Sequence, residues 1–458
     1  MMVAAEPSKF TDRPTVIPSA KLGRIVVIGG GIAGLASAYY LSRDGADVTL
    51  YESTDQLGGL GTFFRSEGRT FERFYHCILP SDRALLGLIS ELGIEDRVYW
   101  RASKFAFFKQ GKFFGLNSPT DIFHFSSLSV IERFRFCLAG LYAKLSSPEG
   151  LDDLTVEQWL RGISGTRVFE EVFRPMLEAK FGDCYREIPA LWFWTRFQRE
   201  KGEHRGREVK GYIRGGYKFL VDTIVSHLWK QGVKIHLEAP VQSIRLDQNE
   251  RPVLTISGRE KIFDRLVYAL PLPLLGALGR GSELNHYSDQ LDRSFDVQGV
   301  VNVVLLLKRK LSDYYWVATV GQGLPFQGIV QTSQVIDEED TGSYHLVYLM
   351  NYVHRSDPLF ARDDESIKQE FIAALETLFP DLRQDEIAHA FVFKAPFVET
   401  IYRRGYLRAK PPAELVPGRF FLATTGQVYP QVTSWNGSTE LAQLVSRRVV
   451  ERAEAAPA

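Results

Sequence analysis

The chain has 458 residues, 45% of them hydrophobic and 24% charged, the composition of a globular protein with room for two or three domains. Lys plus Arg number 55 and Asp plus Glu number 55, and a formal net charge of zero argues against a nucleic-acid binder, which needs a cationic excess to displace counterions. The cysteines are Cys77, Cys137 and Cys184, far apart and without metal-ligand spacing, so neither a disulfide framework nor a metal centre is expected and a reducing, cytoplasmic setting fits.

Residues 1–22 carry Pro7, Pro14 and Pro18 among polar residues and no long apolar run, which reads as a flexible tail rather than a secretory signal. The β-branched run 24–28 suits a strand buried on both faces. A glycine-rich turn follows at 29–34, and 32–43 has helical spacing up to Gly45. A second strand over 47–51 closes a βαβ unit. Beyond it lie a glycine cluster at 57–61, a hairpin over 65–74 around Glu67-Gly68, and a helix over 81–92 with Ser81 as N-cap. A hairpin over 105–116 turns at Gln110-Gly111. Residues 128–145 and 156–181 are predicted to be mainly helical. Strands are predicted at 233–237 and 241–246, in a hairpin to 256, and at 266–270, after which Pro271 and Pro273 break the pattern. Further strands are predicted at 300–307, 329–332, 344–352 and 419–424, and helices at 365–378 and 437–452.

The most informative motif is GxGxxG at Gly29, Gly31 and Gly34, set between the first strand and the first helix. Gly29 makes the tight turn, Gly31 lets the backbone approach a pyrophosphate, and Gly34 lets the helix pack closely on the sheet. The N–H groups of the helix start, at Ile32 and Ala33, then face the phosphate. Glu52 ends the second strand, 18 residues after Gly34, where a carboxylate accepts hydrogen bonds from ribose hydroxyls and disfavours a 2′-phosphate.

The stretch from Glu52 through Asp55-Gln56-Leu57 to Gly58 and Gly59 resembles the extended fingerprint of the flavin amine oxidase superfamily, which includes amine oxidases, protoporphyrinogen oxidases, carotenoid desaturases and, more distantly, UDP-galactopyranose mutase. The segments 71–78, 180–183 and 215–217 look like its bacterial protoporphyrinogen-oxidase-like branch. The resemblance implies FAD rather than NAD, with Gly58, Gly59 and Leu60 along the pyrophosphate and ribitol and the strand at Val241 against the adenine ring. It also implies Gly426 near the ribitol and Asn436 at the helix start facing the isoalloxazine. Relatives often carry an acid after the glycine of the C-terminal strand. Here the run is Ala423-Thr424-Thr425-Gly426-Gln427, so Thr425 or Gln427 would supply an equivalent hydrogen bond. No cysteine follows Cys184, so the C-terminal cysteinyl link of some relatives is impossible and FAD is expected to be non-covalent.

Candidate catalytic residues are His76, as flavin partner or as a base near neutral pH, and Tyr75, with Arg73 and Asp183 weaker. Each also has a structural reading in backbone bonding or packing. Trp192-Phe193-Trp194 and 429–435 are candidate aromatic lining. The charged stretch 199–207 reads either as a solvated loop or as a lid gripping an anion. Phenylalanines interleaved with Lys and Arg over 104–136 read either as substrate-side core with charges lying along it, or as a face resting on a membrane.

The expectation is therefore an α/β protein. A doubly wound, Rossmann-type FAD domain would be built from 23–85, 210–270 and 415–455, and a mixed sheet-and-helix substrate domain from 86–209 and 271–414. The implied activity is FAD-dependent hydride removal from a small organic substrate, apolar or anionic, as amine oxidation or C–C desaturation. The alternatives are a non-redox flavoenzyme of the mutase kind and a non-catalytic flavin-binding subunit.

Overall fold

Arg24–Ile28 has the sequence RIVVI and is buried after its first residue, as a central parallel strand requires. The computed structural model describes residues 19–455 apart from 110, 126, 200–202, 205–206, 288–294 and 320–322. The strand is the third of six in the order Lys234–His236, Asp47–Tyr51, Arg24–Ile28, Arg265–Tyr268, Phe420–Leu422 and Glu414–Val416. The first five run parallel and the last antiparallel. Helices Ile32–Arg43, Gly216–Lys230 and Trp435–Ala455 bury Leu35, Leu220 and Val445 with Ile25, Val27 and Leu50 on one face of this sheet. On the other face Val26, Ile28 and Leu266 pack with a three-stranded antiparallel sheet, Val241–Leu246, Pro252–Ile256 and Arg259–Ile262, through Ile244 and Leu254.

The second large sheet has seven strands, in the order Ile387–Ile401, Asp296–Leu307, His345–His354, Gly328–Gln331, Trp316–Ala318, Phe105–Lys109 and Lys112–Gly115. Strand alternation divides its residues between two sides. Val301, Val303 and Leu305 pack with Ile367 and Phe371 of helix Asp364–Leu378. Their neighbours Val300 and Asn302 face the other way, into the central cavity. Helices Val130–Leu145, Val156–Ser164, Arg174–Phe181 and Ala190–Arg199 form a cluster bordering the same cavity.

Several expectations need correction. Residues 1–18 and Gln110 lie outside the described residues. Within the expected tail, Ser19–Leu22 is a helical turn whose Leu22 is fully buried and whose carbonyl accepts from Arg265. Helix Arg83–Glu91 is not capped by Ser81, whose hydroxyl donates to the Arg199 carbonyl. Strand Ile387–Ile401, unpredicted, is the longest of the described strands and pairs along Asp296–Leu307 with a register shift between Gln298 and Val300.

Candidate functional site

The glycine turn is held from two sides. Gly29, at φ +104°, donates to the Tyr51 carbonyl at 2.9 Å, and Gly58 donates to the Gly30 carbonyl at 2.8 Å. Glu52 Oε2 accepts from the Gly30 N–H at 2.7 Å and Oε1 from the Thr54 N–H at 2.9 Å, so the carboxylate organises the loop beside it. A Cβ on Gly34 would lie 1.9 Å from the Gly29 carbonyl oxygen, whereas one on Gly31 would meet only Gly59 Cα, at 3.8 Å. Gly34 is thus a packing glycine, and Gly31 fronts open space. Gly31 is also the N-cap of helix Ile32–Arg43 and gives it no side-chain cap, so the first-turn N–H groups remain available to an anion.

That open space is a cavity of about 830 Å³ lined at one end by Gly31, Ile32, Ala33, Gly58, Gly59 and Leu60. His76 lies further along its wall, its Nδ1 2.8 Å from the Phe74 carbonyl and its ring 4.9 Å from that of Tyr217. Burial pushes its pKa down to about 4, only partly offset by that hydrogen bond. At neutral pH the ring is therefore uncharged, and a weaker base than an ordinary imidazole. Its Nδ1–H is committed to Phe74. The Tyr75 hydroxyl lies 3.2 Å from that of Tyr352, and burial raises the pKa of both.

The acids lining the cavity, among the described residues, are Asp82 and Glu399. Asp82 takes two hydrogen bonds from Arg199, each 3.0 Å. Glu399 pairs with Lys180, Nζ to Oε2 2.5 Å. Neither pair was legible as a site in the sequence. Lys180 and Glu399 are 219 positions apart, and Glu399 sits on the unpredicted strand.

The other candidates divide between the cavity wall and the structure around it. Arg73 is structural: its Nε donates to the Phe63 carbonyl at 3.1 Å. Asp183 is exposed and is not among the cavity-lining residues. Asn436 faces another helix, its Oδ1 accepting from the Ala84 and Leu85 N–H groups at 2.9 and 3.1 Å. Gln427 is consumed at both ends, by the Thr424 N–H and the Pro412 carbonyl, which leaves Thr425 on the cavity wall. Gly426 is packed under Leu272, and its carbonyl accepts from the Tyr406 hydroxyl. Val241 begins the first strand of the three-stranded sheet and packs against the core; like Glu52, it is not among the residues lining this cavity. Trp192, Phe193 and Trp435 line the cavity, but Trp194 does not; its Nε1 donates to Ser146. The expected lid lies largely outside the described residues, which omit 200–202 and 205–206.

A family profile described as flavin containing amine oxidoreductase matches residues 32–449. The chain belongs to this family. It is 26% identical to the 15-cis-phytoene desaturase of Synechococcus elongatus, over 94% of this chain and 96% of the relative. Its fold is similar to that of a candidate protoporphyrinogen oxidase from Exiguobacterium sp., with TM-score 0.75, 18% identity and coverage of 94% and 99%. It is also similar to putrescine oxidase, with TM-score 0.68, 14% identity and coverage of 94% and 99%. As a flavin-containing amine oxidoreductase the protein is an oxidoreductase, and its cofactor is FAD. The residues fit that cofactor. A Cβ on Gly59 would come within 3.1 Å of Gly31 Cα, so side chains on this facing pair would fill the cradle that the uncapped helix start opens onto.

Proposed function

We propose that the enzyme removes hydrogen from a neutral, largely apolar substrate at a C–C unit, a desaturation, rather than oxidising an amine. The observation that carries this reading is the chemistry of the cavity wall. Both of its acids already hold a cation of the chain itself, while Phe105, Phe136, Val172, Phe173, Leu177 and Phe197 supply apolar surface. A substrate ammonium would enter without a free carboxylate, whereas a hydrocarbon buries its surface favourably. The identity with a phytoene desaturase over nearly the whole of both chains points the same way.

In this reading Gly31, Ile32, Ala33, Gly58, Gly59 and Leu60 hold the diphosphate and ribitol of FAD, and Glu52 its adenosine ribose, without a covalent link. FAD, when bound, would supply the two-electron acceptor: it would take the hydride from one substrate carbon, and the proton lost from the neighbouring carbon would complete the reduced flavin, so that two hydrogens leave as one C=C bond forms. The chain's own residues bind, orient and keep water out. His76, neutral and fixed on Phe74, contributes a polar contact without a charge. Tyr75 and Tyr352, both protonated, present hydroxyls rather than phenolates. The segments 23–85, 210–270 and 415–455 would form the cofactor unit and the rest the substrate unit.

The test is anaerobic mixing of the oxidised holoenzyme with a linear polyene carrying saturated C–C units. Stoichiometric bleaching of the flavin band with formation of a new double bond supports the reading. Bleaching by simple alkylamines, with none by polyenes, contradicts it, and turnover only after prior reduction would indicate mutase chemistry.

We further read helix Val130–Leu145 as the face that docks on a lipid surface. Ile131, Phe134, Leu138, Leu141, Tyr142 and Leu145 lie three and four residues apart on one side and are exposed, Ile131 by 69% and Leu145 by 76%. Arg135 and Lys144 are exposed on the same helix, and Phe136 on its inner side lines the cavity. No helix among the described residues is long and apolar enough to cross a membrane, so the contact would be peripheral.

A further inference from the structure

Lys180 lies in the last turn of a helical segment, Arg174–Phe181, and lines the cavity wall. Its ammonium lies 2.5 Å from Glu399 Oε2, 4.9 Å from the ring centroid of Tyr352, 5.6 Å from that of Phe181 and 6.0 Å from that of Trp192. A carboxylate and three aromatic faces around one cation make an ammonium cage. The Glu399 side chain is 3% exposed and its other oxygen, Oε1, has no hydrogen-bond partner, so this is a built anionic site rather than a surface ion pair. An isolated buried carboxylate is strongly disfavoured, and the lysine satisfies it from within the chain. The site is brought together by two elements far apart in sequence. The shifted pairing near Gly299 carries Glu399 to the same wall that the helix end reaches with Lys180.

We infer that Lys180 is a specificity-determining residue, its tethered ammonium filling the cage of Glu399, Tyr352, Phe181 and Trp192 that would otherwise take a substrate amine. This inference rests on the neutral-substrate reading and supplies its cause. The lysine blocks the cage as a covalently attached alkylammonium, at an effective concentration that a free amine cannot match. Truncation to alanine removes the equivalent of propylammonium, so the cage should then accept that ion from solution.

The experiment compares the wild-type holoenzyme with Lys180→Ala and with the double variant Lys180→Ala/Glu399→Gln, with propylammonium as ligand. Binding is followed by calorimetry and by the melting temperature, and butanol serves as a neutral control of similar size. The expected result is propylammonium binding at least about tenfold tighter to Lys180→Ala than to wild type, with a melting-temperature rise of about 2 °C or more in that variant alone. The double variant should lose the gain, because the carboxylate is gone. Equal propylammonium binding by wild type and Lys180→Ala, binding by neither, or binding retained by the double variant would each overturn the inference.

Should Lys180→Ala fail to fold alone, refolding with and without propylammonium decides the matter. Recovery with the amine and none with butanol supports the cage. Failure in both, while the double variant folds, overturns it. None of these measurements involves turnover, so a failure to bleach with polyenes would remove the desaturase reading and leave the cage comparison standing.

Discussion

Gly31 and Gly34 sit three residues apart in one motif and answer to different forces. A methyl on Gly34 would press to 1.9 Å from the Gly29 carbonyl, and backbone cannot yield cheaply. Gly34→Ala should therefore destabilise the protein by about 3 kcal/mol or more, read from urea unfolding. A methyl on Gly31 meets only ordinary contact at 3.8 Å and enters the space a diphosphate would take. Gly31→Ala should leave the cofactor-free protein within about 1 kcal/mol of wild type yet weaken FAD binding at least about tenfold, measured by equilibrium titration. Equal effects of the two substitutions would contradict the assignment.

His76 gives a test with a definite sign. Its folded pKa, about 4, lies below the ordinary imidazole value because burial penalises the charged ring. The unfolded chain therefore binds the proton first. Stability falls as pH drops below about 6.5, and the loss reaches roughly 3 kcal/mol below pH 4. His76→Asn should flatten that part of the stability–pH curve, and an unchanged slope would contradict the buried neutral ring. The glycines were legible because their constraints are local. The partners that occupy the Asn436 and Gln427 side chains were not, because they lie in other segments, Ala84 352 positions from Asn436 and Pro412 15 positions from Gln427.

At the scale of elements, the βαβ unit, the helix 32–43 and the strands flanking 241–256 followed from period and punctuation within one or two residues. Strand Ile387–Ile401 escaped because Lys394-Ala395-Pro396 interrupts its apolar alternation. The structure absorbs the proline in the register shift opposite Gly299, where a Cβ would lie 2.3 Å from the Ala395 carbonyl oxygen. That irregularity carries Phe397, Val398 and Glu399 to the cavity wall, so the feature that hid the strand also shapes the site. Within the phenylalanine-rich stretch Phe107, Phe108 and Phe125 are core, while Phe123 and Phe134 are exposed. For helix Val130–Leu145, replacing Phe134 and Leu138 by Glu should reduce co-sedimentation with anionic lipid vesicles at least about tenfold. Unfolding stability should stay within about 0.5 kcal/mol, as for other surface changes. Undiminished co-sedimentation would exclude this helix as the docking face.

At the scale of the whole molecule, the cavity belongs to no single segment. The parallel sheet contributes the glycine loop at the carboxyl end of its strands, where ligands bind in such sheets. The seven-stranded sheet contributes Val300, Asn302, Met350 and Tyr352, and the helical cluster contributes Lys180 and Trp192. The glycine motif was legible because it lies within one contiguous βαβ unit, whereas the rest of the cavity wall was legible only in outline because it requires the packing of three separated regions. Binding that bridges these regions couples cofactor occupancy to the stability of the assembled chain.

The most direct test is to titrate FAD into the cofactor-stripped chain and follow flavin absorbance together with thermal unfolding. A single site saturating at one FAD per chain is expected, with the cofactor released on acid precipitation and unfolding stability raised by about 2.7 kcal/mol at a hundredfold excess over Kd. A chain that stays colourless, or that binds FAD equally well when Gly31 and Gly59 are both replaced by valine, would contradict the account at its root.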